Sequence, residues 1–77
     1  MQNAEVINTI NEDRFDDWDF YKEGNHILGF TVDIGELTYN ILFDGSVRDT
    51  DYEYVGQLED STLSIFNELA DRRLGNE

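Results

Sequence analysis

The residues best equipped for chemistry are carboxylates, and their most regular spacing is Asp49, Asp51 and Glu53. That D-x-D-x-E run opens an oxygen-ligand calcium loop, in which alternate side chains turn hard oxygens onto one cation. Such a loop then needs glycine at its sixth position for the sharp turn and a bidentate glutamate at its twelfth. Tyr54 and Asp60 stand there instead, so a metal is not expected and the three acids remain as surface charge. Acid–base catalysis requires two titrating groups held at separated pKa values. His26 is the single histidine, and it begins an alternating segment beside a Gly24-Asn25 turn, where a solvated imidazole is expected. Ser46, Ser61 and Ser64 lack a nucleophile-elbow context and have no second histidine with which to build a triad. With eighteen acids in 77 residues, adjacent pairs such as Asp16-Asp17 and Glu59-Asp60 are expected by chance, and the chain is short for a sugar-sized cleft. The six glycines are scattered singly, without a phosphate loop or dinucleotide fingerprint. The absence of cysteine removes disulfides, thiolate metal sites and thiol nucleophiles. The expectation is a protein that is not an enzyme and carries no cofactor.

The outstanding property of the acids is their density. Five Lys plus Arg stand against eighteen Asp plus Glu, for a formal charge of −13. Direct binding of nucleic acid needs a cationic surface that displaces counterions, and one lysine with four arginines does not supply it. An anionic membrane face is excluded for the same reason. No apolar run approaches the ~20 residues of a membrane span, and the first residues have neither the charged start nor the apolar stretch of a secretory signal, so a cytoplasmic location is expected. One Trp, four Tyr and five Phe within a 39% hydrophobic composition are nonetheless enough for a folded core.

The elements that must position these acids follow from periodicity. Asn3 as a cap, Glu5 in the first turn, and Val6, Ile7 and Ile10 at helical spacing predict a helix over about Ala4 to Asn11. Trp18, Phe20 and Lys22 alternate with Asp19, Tyr21 and Glu23 as a short strand. Leu28, Phe30, Val32 and Ile34 share one parity, and after Gly35-Glu36 the alternation resumes with Leu37, Tyr39, Ile41 and Phe43, which predicts a tight hairpin. The segment from Val47 to Val55 reads as either a loop or an edge strand. Leu58, Thr62, Ile65, Phe66 and Leu69 then recur at helical spacing, with Arg72 and Arg73 at the negative end of the dipole and Gly75 as a stop, which predicts a helix over about Leu58 to Leu74. The result is one α+β domain over residues 1–77, a small two-layer α-β-β-β-α fold with an antiparallel three- to four-stranded sheet. Its core would use Val6, Ile7 and Ile10 from one helix and Ile65, Phe66 and Leu69 from the other. The far sheet face would present His26, Thr31, Asp33, Thr38, Asn40 and Asp44 to solvent.

Self-repulsion at −13 lowers stability, so the charge calls for a role beyond solubility. A compact chain of this length is roughly 30 Å across, and over that distance duplex DNA carries on the order of 15 to 18 phosphates. The acids can therefore imitate a nucleic-acid backbone toward a basic cleft, with electrostatic steering of the encounter. In size, acidity and element order the chain resembles the small anti-CRISPR and anti-restriction inhibitors encoded by phages and other mobile elements. The resemblance implies a host-cytoplasmic inhibitor that occupies the nucleic-acid site of a defence nuclease, either a CRISPR effector or a restriction enzyme. An immunity protein or antitoxin that neutralises a basic toxin enzyme uses the same complementarity, and an acidic domain of unrelated function in a high-salt cytoplasm has the same composition. The expected contact set is Asp16, Asp17, Asp19, Asp49, Asp51 and Glu53, with Tyr52 and Tyr54 as anchors among them. Glu68 and Asp71 are secondary, because Glu68 can pair with Arg72 one helical turn on. A homodimer is compatible with this reading.

Overall fold

The computed structural model describes residues 3–13 and 18–75. Alternation produces its central hairpin: β2 (His26–Ile34) pairs antiparallel with β3 (Leu37–Leu42), and Ile34 lies opposite Leu37 across the two-residue Gly35-Glu36 loop. Gly35 takes φ 65°, the left-handed first position that a type II′ loop demands. β1 (Trp18–Glu23) joins β2 through a similar loop at Gly24-Asn25 and pairs with its other edge.

The segment 47–55 is neither a loop nor one edge strand. It contains most of β4 (Ser46–Arg48), a reversal, and the start of β5 (Tyr54–Gln57), which pair antiparallel. The sheet therefore has five strands in the order β1-β2-β3-β4-β5, one or two more than expected. Alternation alone could not reveal this reversal, because acids and tyrosines continue through it with unbroken parity. The helices are α1 (Asn3–Asp13), somewhat longer than expected, and α2 (Asp60–Gly75), which starts after Leu58. The architecture remains a two-layer α+β domain, in the order α-β-β-β-β-β-α.

One face of the sheet carries the core. Phe20, Phe30, Ile41, Val47 and Gly56 lie opposite one another in succession across all five strands. Gly56 marks a close approach of α1 to β5: a Cβ there would come within 2.7 Å of Cγ1 of Ile7, so the Ile7 side chain would have to shift to admit one. Val6 and Ile10 of α1 are fully buried beside it. Phe30 is the hub, with its ring stacked on Phe66 of α2 at 5.3 Å and met edge-on by Trp18 at 6.0 Å and Phe43 at 5.6 Å. Such aromatic pairs add to stability beyond the area they bury.

The buried line of α2 differs from the expected one. Thr62, Phe66 and Ala70, four residues apart, face the sheet, whereas Leu69 is half-buried and Ile65 is 40% exposed. The small Thr62 and Ala70 on either side of Phe66 let its ring reach Phe30. Burial of the larger pair, Ile65 and Leu69, would turn Phe66 away. At the end of α2, Arg73 closes the β1 edge. Its guanidinium lies 3.9 Å from the centre of the Trp18 ring, and Nη1 is 3.2 Å from Oδ1 of Asp19.

Candidate partner-binding surface

The opposite face has its own transverse row. Asp19, Thr31, Asn40, Arg48 and Tyr54 are opposed in succession from β1 to β5, the last pair across a register shift between Val47 and Arg48. Alternation sets Thr31, Asn40 and Arg48 opposite to the core row; the Tyr54 ring lies near the Arg48 guanidinium, and the Asp19 carboxylate reaches Arg73 of α2. A second pair on this face, Asp33 and Thr38, is joined by a 2.7 Å hydrogen bond from the threonine hydroxyl. None of these seven residues is buried. Both helices pack on the other side, so among the described residues this face forms the open layer.

The reversal between β4 and β5 stands at one end of the row. Its shape comes from Asp49, whose Oδ1 accepts the backbone N–H groups of both Asp51 and Glu53 at 2.9 Å. The Asp49 carbonyl accepts the N–H of Tyr52 at 2.8 Å, and the Asp49 N–H donates to the Glu53 carbonyl at 3.0 Å. These bonds close a three-residue loop, Thr50 to Tyr52, whose last residue must be left-handed, a position ordinarily given to glycine. Tyr52 occupies it at φ 65°. A side chain there is strained, and the strain places the Tyr52 ring over the Arg48 guanidinium at 5.3 Å, with the Tyr54 ring also near it at 5.7 Å. Arg48 Nη1 donates to the Tyr52 carbonyl at 3.4 Å, while its buried Nε has no acceptor among the described residues. The cation is thus held largely by aromatic faces, with Tyr52 47% exposed and Tyr54 55% exposed.

Tyr21 belongs to the same neighbourhood. Burial first, then hydrogen bonding and charge interaction with Tyr52, and last the Glu23 carboxylate, hold its phenol above the ordinary tyrosine value. Asp44 shifts the other way, because the Ser46 hydroxyl and backbone N–H donate to its Oδ1 at 2.7 and 2.9 Å; Arg48 adds a smaller favourable charge.

The expected contact residues meet different fates. Asp16 and Asp17 lie outside the described residues. Asp51, Glu53, Tyr52 and Tyr54 come together in the β4–β5 hairpin, all exposed. Asp49 is half-buried and its carboxylate is occupied in shaping the loop. Asp19 is exposed but tied to Arg73 and to the N–H of Phe20. Arg48 and Tyr21 were absent from the expected set. A signal for Arg48 was available, since it is the single cation between Lys22 and Arg72 and it immediately precedes the acidic-tyrosine run.

Among the described residues no three His, Cys, Asp or Glu side chains converge as metal ligands, and Asp49, Asp51 and Glu53 share a loop without sharing a centre. A cavity of about 220 Å³ lies between the start of α1 and the sheet, lined by Asn3, Leu37, Tyr39, Asp49, Thr50 and Val55. It is smaller than the roughly 300–1,000 Å³ of pockets that enclose small-molecule ligands. No described helix is long and apolar enough to cross a membrane. Compared with family models, with curated proteins and with solved structures, the chain has no significant match.

Proposed function

We propose that this chain is a non-catalytic acidic inhibitor, encoded by a phage or mobile element, that acts in the host cytoplasm. It presents a surrogate polyanion to the nucleic-acid groove of a defence nuclease, a CRISPR effector or a restriction enzyme, and excludes the polynucleotide. The observation that carries the reading is the exposure of charge on a compact body. Every described acid whose side chain is placed is exposed, apart from the half-buried Asp49. The body measures 38 × 26 × 22 Å and the chain carries −13. Duplex DNA spanning 38 Å carries about 22 phosphates on its two strands, counted like the −13 over the whole body. The net charge is of that order. A cationic groove gains comparable Coulomb attraction from either occupant, and the protein adds tyrosine anchors that a phosphate backbone lacks.

The test begins with capture of partners from a lysate at low salt and elution by rising salt. Each eluted nuclease is then given labelled duplex at sub-saturating concentration, and displacement by the acidic chain is followed by fluorescence anisotropy. Competitive displacement that weakens as salt rises is expected. Persistence of a ternary complex with duplex bound at full affinity would refute the mimicry. The exposed Tyr52 and Tyr54 between Asp51 and Glu53 suit, equally, an immunity protein or antitoxin seated on a basic toxin enzyme. A toxin gene beside this one, together with protection of that toxin's active site, would favour that second reading.

A further inference from the structure

We propose that the partner docks on the open face of the sheet, and that its contact there is an arginine-rich protein surface stacking on Tyr52 and Tyr54. This rests on the inhibitor reading above and narrows it, from a body that is acidic all round to one face with a defined centre. Four observations converge on that face.

First, the two layers are unequal. The face bearing Phe30 and Ile41 is covered by α1 and α2, whereas among the described residues no helix covers the row Thr31, Asn40, Arg48 and Tyr54. Of these, Thr31, Asn40 and Arg48 are half-buried and Tyr54 is exposed; Asp19, at the β1 edge, is held by Arg73. Five strands at about 4.8 Å make that face roughly 19 Å wide. Second, the hairpin loop beside the row holds a residue in a conformation that its side chain disfavours. Tyr52 at φ 65° stands where glycine would close the same loop without strain, and what the tyrosine adds is an exposed ring beside Arg48. Strained positions persist where a particular side chain is wanted at that point. Third, the face already contains a worked example of its chemistry: the Arg48 guanidinium lies near two tyrosine rings that are each about half exposed, Tyr52 at 47% and Tyr54 at 55%. Arginine is the cation best suited to such stacking, because its planar group is weakly hydrated.

Fourth, charge decides between occupants. The face and its hairpin present Asp33, Asp51 and Glu53 against Arg48, Asp19 being already paired with Arg73. A second copy of the chain brings another −13 and is repelled, and so is a nucleic acid. A cationic protein surface is attracted, and its arginines find both rings and carboxylates within one patch.

The experiment uses the full isotope-labelled chain, with a nona-arginine peptide and a nona-lysine peptide as probes, followed by amide chemical-shift mapping. Shifts centred on Thr31, Asn40, Arg48, Tyr52 and Tyr54, with tighter binding of the arginine peptide, are expected. Two double variants remove the same charge from different places: Asp33→Asn with Asp51→Asn on the open face, and Glu68→Gln with Asp71→Asn on α2. The first should weaken binding about tenfold and the second about two- to threefold, and Tyr52→Gly should match the first. Equal losses from the two double variants, or shifts centred on α2, would overturn the docking face while leaving a charge-driven inhibitor intact. If the arginine peptide binds the open face as expected but no nuclease is displaced from duplex, the inhibitor reading fails and the docking face survives. No binding of either peptide at low salt would overturn the docking face.

Discussion

The left-handed tyrosine gives the sharpest prediction, because a comparison of two truncations at one position isolates the backbone. Tyr52→Ala and Tyr52→Gly both delete the ring and its contact with Arg48, so that loss cancels between them. What differs is a Cβ at φ 65°. In ordinary backbone, glycine is less stable than alanine by about 0.5–1 kcal/mol, from the greater freedom that it loses on folding. In the left-handed region a Cβ costs about 1–2 kcal/mol, which exceeds that entropy term and reverses the order. The glycine variant should therefore be more stable than the alanine variant by about 1 kcal/mol. Unfolding entropy of about 2.1 cal/mol/K per residue gives about 0.16 kcal/mol/K for 77 residues, so the difference appears as a gap of about 6 °C in Tm. Thermal melts followed by Trp18 fluorescence and by circular dichroism would measure it. If the alanine variant melts at or above the glycine variant, Tyr52 is not left-handed, and the argument that strain is retained there for the sake of the ring collapses.

Three further outcomes follow from the same structure. Phe66→Ala should cost about 3–5 kcal/mol in urea unfolding, most of the stability expected for a domain of this size, whereas Ile65→Ala should cost under about 1 kcal/mol; the reverse order would mean that α2 presents its other face. Asp44 is held below its ordinary pKa in the folded state, so its stabilising contribution is fully present above the unfolded value of 3.8 and is lost as pH falls through the folded one. The stability gap between wild type and Asp44→Asn should accordingly shrink on acidification below that value, and a gap independent of pH would contradict the Ser46 hydrogen bonds. Self-repulsion at −13 predicts that Tm rises from about 0.01 M to about 0.1 M salt, as the screening length falls from about 30 to about 10 Å. A Tm that continues to climb into the molar range would favour the halophilic alternative.

Wherever structure follows from neighbours in the chain, it was legible in the sequence. The parity of Phe30, Val32, Tyr39 and Ile41 determined which face of the central hairpin is buried, because a two-residue glycine loop fixes register locally and a slip of one residue would expose every apolar side chain. The same parity placed Thr31, Asp33, Thr38 and Asn40 on the open face. The net charge of −13 needed no coordinates at all.

Tertiary structure alone decided three things. It set Thr62 and Ala70, in place of Ile65 and Leu69, beside Phe66 on the buried line of α2, since that depends on the shape of the sheet that Phe66 meets at Phe30. It split 47–55 into two strands, since the Asp49 side chain bends a segment whose alternation never breaks, and the glycine that usually marks such a loop is here a tyrosine. Finally, it aligned Asp19, Thr31, Asn40, Arg48 and Tyr54, which are spread over 36 positions of sequence, into one row. Composition can make a chain acidic; only the pairing of five strands can gather a carboxylate, a guanidinium and tyrosine rings onto one face and leave that face open.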